Sequence, residues 1–214
     1  MNYLIDIEGN IGSGKTTLNN NLKKIYSDHS DKIIFVDEPV NEWLNFKDND
    51  GRNILELFYI NKDKYTFQFQ LYAYLTRLRN FININKSNKN KIIIMERSIH
   101  SDKHIFAQML HEQNLLSETE WNIYLEFFNT FKDECVPNMY LFVNTKPDEC
   151  MKRIQKRLRK EEINKIEIEY LQKVDEYHRK WLTNTSDCIE IDGHESEDNI
   201  LKQVKMIIDK RLST

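Results

Sequence analysis

Residues 9 to 16 read Gly9-Asn10-Ile11-Gly12-Ser13-Gly14-Lys15-Thr16, and the apolar run Tyr3-Leu4-Ile5-Asp6-Ile7 stands directly before them. This is the G-x-x-x-x-G-K-[ST] pattern of a phosphate loop between a strand and a helix. In such a loop the backbone N–H groups surround phosphate oxygens, Lys15 gives the β- and γ-phosphates a positive charge, and the Thr16 hydroxyl can ligate Mg²⁺. We therefore predict that residues from Gly9 to Thr17 bind a nucleoside triphosphate such as ATP. The loop leaves the acceptor open.

The composition is that of a globular protein without a basic excess. The chain has 214 residues, of which 40% are hydrophobic and 30% charged, and its net charge is −3. A chain of this length can form one α/β core, so we predict a single domain over residues 1–214. The charge balance argues against polymeric nucleic acid as a partner. No apolar run reaches the ~18 residues of a membrane span, and the first strand begins near Tyr3, which together predict a cytosolic protein without a membrane partner.

Short apolar runs alternate with longer helical patterns along the chain. The apolar runs are nearly continuous, as in buried parallel strands, and lie at residues 3–8, 32–37, 91–95, 138–143 and 187–191. Apolar residues at spacings of three and four predict helices at 15–27, 53–60, 64–86, 101–113, 117–134, 146–162, 167–182 and 196–212. This order predicts an α/β phosphate-loop protein with a doubly wound, five-stranded parallel sheet.

Acidic residues follow three of the predicted strands. In a doubly wound sheet the ligand lies beyond the carboxyl ends of the strands, so four strand ends should meet at one rim, namely Glu8-Gly9, Asp37-Glu38, Glu96-Arg97 and Asn144-Thr145. A lone glutamate is ordinarily a surface acid. Two glutamates at equivalent strand ends, one followed by Arg97, instead provide a base, a metal ligand and a charge clamp for phosphoryl transfer. The acceptor would be an alcohol or a phosphate.

Several motifs resemble the deoxyribonucleoside kinases, especially the deoxycytidine/deoxyguanosine/deoxyadenosine kinase branch. They extend over nearly the whole chain and comprise Ile7-Glu8-Gly9-Asn10-Ile11, Glu38-Pro39-Val40-Asn41-Glu42-Trp43, Phe67-Gln68-Phe69-Gln70-Leu71-Tyr72-Ala73, Glu96-Arg97-Ser98, Phe106-Ala107, Glu118-Thr119-Glu120-Trp121 and the basic stretch from Arg153. The resemblance implies a Mg²⁺-dependent kinase that phosphorylates the 5′-hydroxyl of a deoxyribonucleoside with a nucleoside triphosphate, usually as a dimer.

The resemblance also assigns roles in catalysis. It implies that Glu38 takes the proton of the 5′-hydroxyl and that Arg97 contacts the 5′-oxygen and the transferring phosphoryl group. A carboxylate beside the hydroxyl and an arginine beside the developing charge suit this reaction. Glu96 resembles the metal-ligating glutamate of the family and would join Thr16 at Mg²⁺. Tyr59 matches a residue that holds the sugar 3′-hydroxyl, although its apolar neighbours equally suit a core position.

Further residues resemble the base-binding pocket. Gln70 would make paired hydrogen bonds to the base edge, Phe69 and Phe106 would enclose the ring, and Trp43 would line the sugar or base pocket. On periodicity alone the aromatic residues from Tyr65 to Tyr74 are more typical of a core than of a site, so Phe69 and Gln70 are assigned to the pocket by the motif match alone.

Arg77 and Asp102 are the predicted determinants of base specificity. Arg77 lies seven residues after Gln70 on the same helix face, and a bidentate pair with Asp102 would place a charged group beside the base. The thymidine-type branch resembles this pattern less, which favours deoxyadenosine, deoxyguanosine or deoxycytidine over thymidine. The alternative is a surface salt bridge worth ~0–1 kcal/mol.

A basic segment at about residues 153–165 resembles the arginine-rich lid of the family. It implies that Arg153, Arg157 and Arg159 clamp the triphosphate and that Glu162 reaches the 3′-hydroxyl. The stretch from Asn164 to Glu169 lacks the glycine and proline of the family pattern.

Two other functions stay open at this point. A nucleoside monophosphate kinase of the thymidylate type shares the fold and the lid, and a phosphate-loop switch would bind nucleotide without a base pocket.

The segment from Asp102 to Phe131 is more apolar than one buried helix face requires, which predicts a symmetric homodimer.

Overall fold

The computed structural model describes residues 1–157, 159 and 165–213. In this part of the chain a five-stranded sheet has the strand order β2-β3-β1-β4-β5, and all neighbouring strands pair in parallel. The strands are β1 Tyr3–Glu8, β2 Ile33–Val36, β3 Ile92–Glu96, β4 Met139–Asn144 and β5 Cys188–Asp192. The predicted doubly wound α/β fold is confirmed, with strand ends within about one residue of the expected ones.

The central strands β1 and β3 correspond to nearly continuous apolar runs in the sequence. β3 is buried along its whole length, and β1 is buried from Leu4 to Glu8. Both faces of these strands are covered by helices, so the usual alternation of apolar and polar residues is absent. The β-branched isoleucines of β3 suit such a pleated, enclosed position.

Helices surround the sheet on both faces. They are α1 Lys15–Ile25, α2 Val40–Asn45, α3 Ile54–Ile60, α4 Lys62–Ser87, α5 (three segments, Ile99–Ser101, Asp102–Ala107 and Gln108–Glu112), α6 Glu118–Phe131, α7 Pro147–Arg157, α8 Ile168–Leu182 and α9 Glu197–Leu212. The middle segment of α5 is a π-helix, which is a wide turn with one extra residue.

Four helix predictions need correction. The wide turn of α5 was not predicted, and α2 was missed because six residues are too few to display a helical period. The predicted helix at 117–134 ends at Phe131 and continues as a 3₁₀ turn over Lys132–Cys135. The one predicted at 146–162 ends at Arg157, and residues 158 and 160–162 lie outside the described part of the chain.

Each face of the sheet has its own core. The larger cluster of buried residues packs α4, α5, α6 and α8 on one face. A smaller cluster packs α1 and α9 on the other face, through residues such as Leu22 and Val204. This arrangement leaves the carboxyl edge of the sheet, where the phosphate loop follows β1, free to form a site. Among the described residues, none of the helices combines the length and the hydropathy needed to cross a lipid bilayer.

Candidate active site

The phosphate loop follows β1 in a conformation that requires glycine at its first position. Gly9 has a φ of +147°, and a Cβ there would lie 2.7 Å from both the Ser13 Oγ and the Val143 carbonyl oxygen. Lys15 is buried in the loop, where its Nζ donates to the carbonyl oxygens of Gly9 at 3.0 Å and Asn10 at 2.8 Å. Burial, together with Arg97, lowers the pKa of Lys15 to about 8. The loop therefore holds a cation at its centre, where a phosphate would bind.

The acids that follow the strands separate into two groups. Glu38 and Glu96 line one large cavity at the carboxyl edge, as predicted for a shared rim. Asp37 instead points toward α1, where it accepts hydrogen bonds from Asn19 at 2.8 Å and from Lys23. Glu8 is fully buried beneath the loop and accepts a hydrogen bond from the Ser101 hydroxyl. Only the first two acids are therefore placed to act on a ligand.

Thr16 and Glu96 together fit a divalent cation. The Thr16 hydroxyl donates to Glu96 Oε1 at 2.7 Å, so a hydroxyl and a carboxylate lie side by side at the end of the phosphate loop. Burial and the nearby charge of Glu38 raise the pKa of Glu96. Within the described ranges there is no group of three or more His, Cys, Asp or Glu side chains that could hold a metal. Two oxygen ligands suit Mg²⁺, which keeps waters and takes further oxygens from phosphates.

Glu38 is held ionised by three cations. Its Oε1 accepts a hydrogen bond from Arg77 Nη2 at 2.7 Å and lies 3.6 Å from Arg97 Nε. Burial raises the pKa of Glu38, but Arg77, Arg97 and Lys15 outweigh this effect and lower the pKa to about 2. Glu38 is therefore a carboxylate at every pH at which the protein would be assayed, and it can accept a proton or a hydrogen bond from a ligand.

Arg77 bridges two carboxylates, which corrects the predicted bidentate pair. A single nitrogen, Nε, donates to both oxygens of Asp102 at 3.0 Å, while Nη2 donates to Glu38. Arg77 and Asp102 are only 7% and 2% exposed, so the surface salt bridge alternative is wrong. Burial raises the pKa of Asp102 to about 6 against the opposing effect of Arg77. The side chain predicted to select the base thus also contacts the predicted catalytic base.

Arg97 has a strained backbone. Its φ is +65°, and the other non-glycine residues with positive φ in the described chain are Asn90 and Asn114, a residue type that tolerates this region. Such a conformation costs ~1–3 kcal/mol and persists only where surrounding contacts impose it. The Nη2 donates to the Gly9 carbonyl oxygen at 2.8 Å, and the guanidinium lies 4.7 Å from the Phe106 ring centre. Nε and Nη1 are buried without a hydrogen-bond partner, as expected of donors that await an anion.

The cavity has a volume of about 640 Å³ and extends from the phosphate loop to an aromatic pocket. The predicted pocket residues Trp43, Tyr59, Phe69, Gln70 and Phe106 all line it. The Phe69 ring stands edge-on to Trp43 at 5.4 Å between ring centres. Gln70 is buried, and its Oε1 has no hydrogen-bond partner. This part of the cavity is thus aromatic, with an unpaired acceptor on Gln70.

Arg153, at the start of the basic segment, is bonded to the phosphate loop. Arg153 donates from Nη1 to the Ser13 carbonyl oxygen at 3.0 Å and from Nη2 to that of Gly193 at 2.9 Å. Arg157 and Arg159 also line the cavity. Glu162 lies outside the described residues. In this structure Arg153 therefore joins the loop to the turn after β5, and it would have to exchange these bonds to clamp a triphosphate.

The model of the deoxynucleoside kinase family matches residues 5–210. The chain belongs to the deoxynucleoside kinase family. It is 38% identical over 186 residues to a protein named probable deoxycytidine kinase from Fowlpox virus (strain NVSL), covering 86% of this chain and 73% of that one. It is 34% identical over 198 residues to human deoxycytidine kinase, covering 83% and 74%. It is 29% identical over 199 residues to the mitochondrial deoxyguanosine kinase of Xenopus laevis, covering 84% and 72%.

The kinase is therefore a phosphotransferase, and the predicted family is confirmed. The nucleoside monophosphate kinase and the phosphate-loop switch, both left open by the sequence, are not supported by this membership. The structure brings every described residue of the predicted site to one cavity or, for Gly9 and Asn10, to the loop beside it.

Sequence reasoning missed several residues of the kinase site. Leu55, Phe58 and Tyr170 line the aromatic pocket, and Glu195 and Glu197 line the cavity near α9. Tyr170 sits at the start of α8, where its spacing is that of a core residue, so the sequence carried no separate signal. The contact between Glu38 and Arg77 was also missed, because the two residues come from elements far apart in the chain.

Proposed function

We propose that the kinase transfers the γ-phosphate of ATP to the 5′-hydroxyl of deoxyadenosine, deoxyguanosine or deoxycytidine in preference to thymidine, with Mg²⁺. The single observation that carries this proposal is the ionised Glu38 between the phosphate loop and the aromatic pocket, hydrogen-bonded to Arg77 and within 3.6 Å of Arg97 Nε. A nucleoside with its base in the pocket would place its 5′-end beside this carboxylate.

The base would bind in the aromatic pocket. Phe69 and Phe106 supply apolar faces, and the unpaired Gln70 Oε1 suits the exocyclic amino group of cytosine or adenine. Trp43 is fixed at the wall, since its Nε1 donates to the Thr76 hydroxyl at 3.0 Å. Tyr59 would hold the 3′-hydroxyl, together with Glu162 as the family resemblance implies. The names of the Fowlpox virus and human relatives put deoxycytidine first among the candidate substrates.

Glu38 and Arg97 would carry out the chemistry. A carboxylate with a pKa of about 2 is a weak base toward an alcohol, so it first orients the 5′-hydroxyl by accepting its hydrogen bond. It takes the proton late, when bonding to phosphorus has made the hydroxyl acidic, as suits a loose transition state. The unpaired Nε and Nη1 of Arg97 would bind the transferring phosphoryl group and the 5′-oxygen.

The donor nucleotide would occupy the other end of the cavity. The phosphate-loop N–H groups and Lys15 would hold its β- and γ-phosphates, and Arg153, Arg157 and Arg159 would cover them. Thr16 and Glu96 would hold Mg²⁺, which supplies charge neutralisation to the phosphates. Glu195 and Glu197 line the cavity where the donor base would approach α9.

A substrate panel tests this proposal. We expect the four deoxynucleosides, assayed with ATP and Mg²⁺, to give a kcat/KM for thymidine at least tenfold below that of the best of the other three, which corresponds to ~1.4 kcal/mol. The corresponding monophosphates serve as controls and should not be phosphorylated. A preference for thymidine would contradict the proposed base selection, and turnover of monophosphates alone would contradict the 5′-hydroxyl as the acceptor.

We also propose that the kinase is a homodimer that pairs through α4 and α6. Most of the apolar residues between Asp102 and Phe131, including Met109, Leu110 and Tyr124, are buried within the chain itself. These buried residues therefore give no support to a dimer interface. Three large apolar side chains remain exposed on adjacent helices, namely Leu75 at 51%, Ile123 at 41% and Phe127 at 43%. The Tyr74 hydroxyl donates to the Phe127 carbonyl oxygen, which fixes the two helices side by side.

Light scattering tests the assembly. At micromolar concentration we expect a mass twice that of the 25.8 kDa chain, and we expect the Ile123→Asp/Phe127→Asp double variant to be monomeric, since two buried unpaired charges oppose association. Met206→Asp is the matched control, because Met206 is 67% exposed on α9, away from these helices. A wild-type protein of single-chain mass would contradict the proposal.

A further inference from the structure

A buried cluster of polar side chains beneath the phosphate loop has no part in the chemistry described so far. It consists of Glu8 at the end of β1, Ser101 in α5 and His178 in α8, and none of these residues is exposed to solvent. We call these residues the Glu8 cluster. The Ser101 hydroxyl donates to Glu8 Oε1, and His178 Nε2 lies 3.7 Å from Glu8 Oε2. Three elements distant in sequence are thus joined at one carboxylate.

The hydrogen bond of His178 to the Val174 carbonyl oxygen decides which of its ring nitrogens faces Glu8. The Nδ1 lies 2.7 Å from the Val174 carbonyl oxygen, which can only accept, so Nδ1 carries a hydrogen. In a neutral imidazole Nε2 would then be an acceptor that faces an acceptor oxygen of Glu8. At 3.7 Å the two atoms make no hydrogen bond, and burial lowers the pKa of His178, so the imidazole packs against Glu8 without donating to it. Asp6, on the same strand, is also fully buried, and burial together with the nearby charge of Glu8 raises its pKa well above the usual range.

The Glu8 cluster is directly connected to the backbone around Arg97. The Arg97 backbone N–H donates to the Ile7 carbonyl oxygen at 3.3 Å, and its Nη2 donates to the Gly9 carbonyl oxygen at 2.8 Å. These two carbonyl groups flank Glu8. The Ser98 backbone N–H donates to the Ser101 hydroxyl at 3.0 Å, and that hydroxyl is the one bonded to Glu8. The turn from Arg97 to Ser101 is therefore bonded to three consecutive residues of the chain.

We propose that Glu8, Ser101 and His178 are positioning residues that hold Arg97 in its left-handed conformation and keep its free N–H groups directed at the acceptor site. A left-handed arginine relaxes unless its surroundings impose the conformation. The Glu8 cluster fixes the Ser101 end of the turn, and the carbonyl groups on either side of Glu8 fix the Arg97 end. Helix α8 supplies His178, so the Glu8 cluster also fixes the helix that carries Tyr170 at the cavity. This inference rests on the proposed role of Arg97 in phosphoryl transfer.

A double-mutant cycle tests whether the Glu8 cluster acts through Arg97. His178→Ala and Ser101→Ala are made in the wild type and in Arg97→Ala, with the best natural nucleoside as substrate and single-turnover rates as the readout. We expect each substitution to slow phosphoryl transfer at least tenfold in the wild type, with the nucleoside Kd within about threefold, and less than twofold in Arg97→Ala. Arginine loss costs ~10³–10⁵ in such reactions, which leaves a rate measurable overnight.

Two further variants separate positioning from general loss of stability. Glu8→Gln should keep at least half of the rate, because the amide can accept from Ser101 and donate to a neutral His178, whereas Glu8→Ala should behave like His178→Ala. Tyr26→Phe is the matched control. It removes a side-chain hydrogen bond of 2.7 Å between Tyr26 and Asp209 in the core of the opposite face, and it should leave the rate unchanged.

Three outcomes would overturn the inference. Equal fold losses in the wild type and in Arg97→Ala would show that the Glu8 cluster acts independently of Arg97. If His178→Ala and Ser101→Ala, each made in the wild type, slow the single-turnover rate less than twofold, the turn from Arg97 to Ser101 does not need the Glu8 cluster. If Arg97→Ala itself loses less than twofold, the proposed role of Arg97 fails and this inference fails with it, while the substrate panel still decides the acceptor.

Discussion

Replacing Glu38 with Gln is expected to lower kcat by ~10²–10⁴-fold while leaving the nucleoside Kd within about threefold. The amide can still hydrogen-bond the 5′-hydroxyl, but it cannot take its proton. It also removes the negative charge that Arg77 and Arg97 now share. Single-turnover kinetics with ATP, together with nucleoside titrations, separate the loss of chemistry from a loss of binding.

Asp37→Asn is the matched control for this prediction. Asp37 is the neighbouring acid, but it faces Lys23 and Asn19 on α1 rather than the cavity. The Asp37→Asn variant should therefore retain the wild-type kcat. If Glu38→Gln retains more than about a third of the wild-type kcat with chemistry rate-limiting, Glu38 is not the base.

Replacing Arg77 with Met and Asp102 with Ala together is expected to shift the kcat/KM ratio of thymidine to the best natural nucleoside by at least tenfold toward thymidine, or ~1.4 kcal/mol. The double variant removes a buried charged wall and enlarges the pocket. Each single variant should be less stable than the double, because it leaves a buried charge without its partner at a cost of ~3–5 kcal/mol. Measurement of kcat/KM for both nucleosides and of Tm for all four proteins tests both statements.

The contact between Arg77 and Glu38 adds a pH signature to this experiment. Arg77 is the strongest of the cations that lower the pKa of Glu38 to about 2, so its loss raises that pKa. Because the reaction needs the Glu38 carboxylate, the Arg77→Met variant should lose activity as the pH falls through the raised pKa of Glu38. The activity of the wild type and of Asp102→Ala should stay constant over the same pH range. A substrate ratio within about threefold in all four proteins would show that the pair is structural and does not select the base.

Much of the fold could be predicted because its strongest signals are local. The isoleucines of β3 are apolar in sequence for the same reason that they are buried in the sheet, and the phosphate loop has fixed glycines because its backbone must curve around a phosphate. Glu38 and Glu96 could be placed at one cavity because parallel strands end at one rim. Only the family resemblance assigned Gln70 to base binding, because the spacing of the aromatic residues in its helix is also typical of a buried core.

What could not be predicted depends on contacts between distant elements. No local pattern gives Arg97 a positive φ, because the carbonyl groups of Ile7 and Gly9 that bind it belong to β1 and to the phosphate loop, far away in the chain. The bridging role of Arg77 follows from three chain segments that meet only in the fold. Asp37 and Glu38 are adjacent in sequence and chemically alike, and only the position of α1 decides that one binds Lys23 while the other faces the cavity.

The π-helix of α5 places a constraint on how this chain can change in length. Asp102 and Phe106 both line the cavity, and both belong to the wide turn that its extra residue creates. Since an α-helix turns by about 100° per residue, deletion of one residue between them would restore a regular helix and rotate Phe106 and all later residues by that angle relative to Asp102. Descendants of this chain can therefore exchange side chains along the segment, whereas a gain or loss of a single residue there would dismantle the acceptor site while the sheet stayed intact.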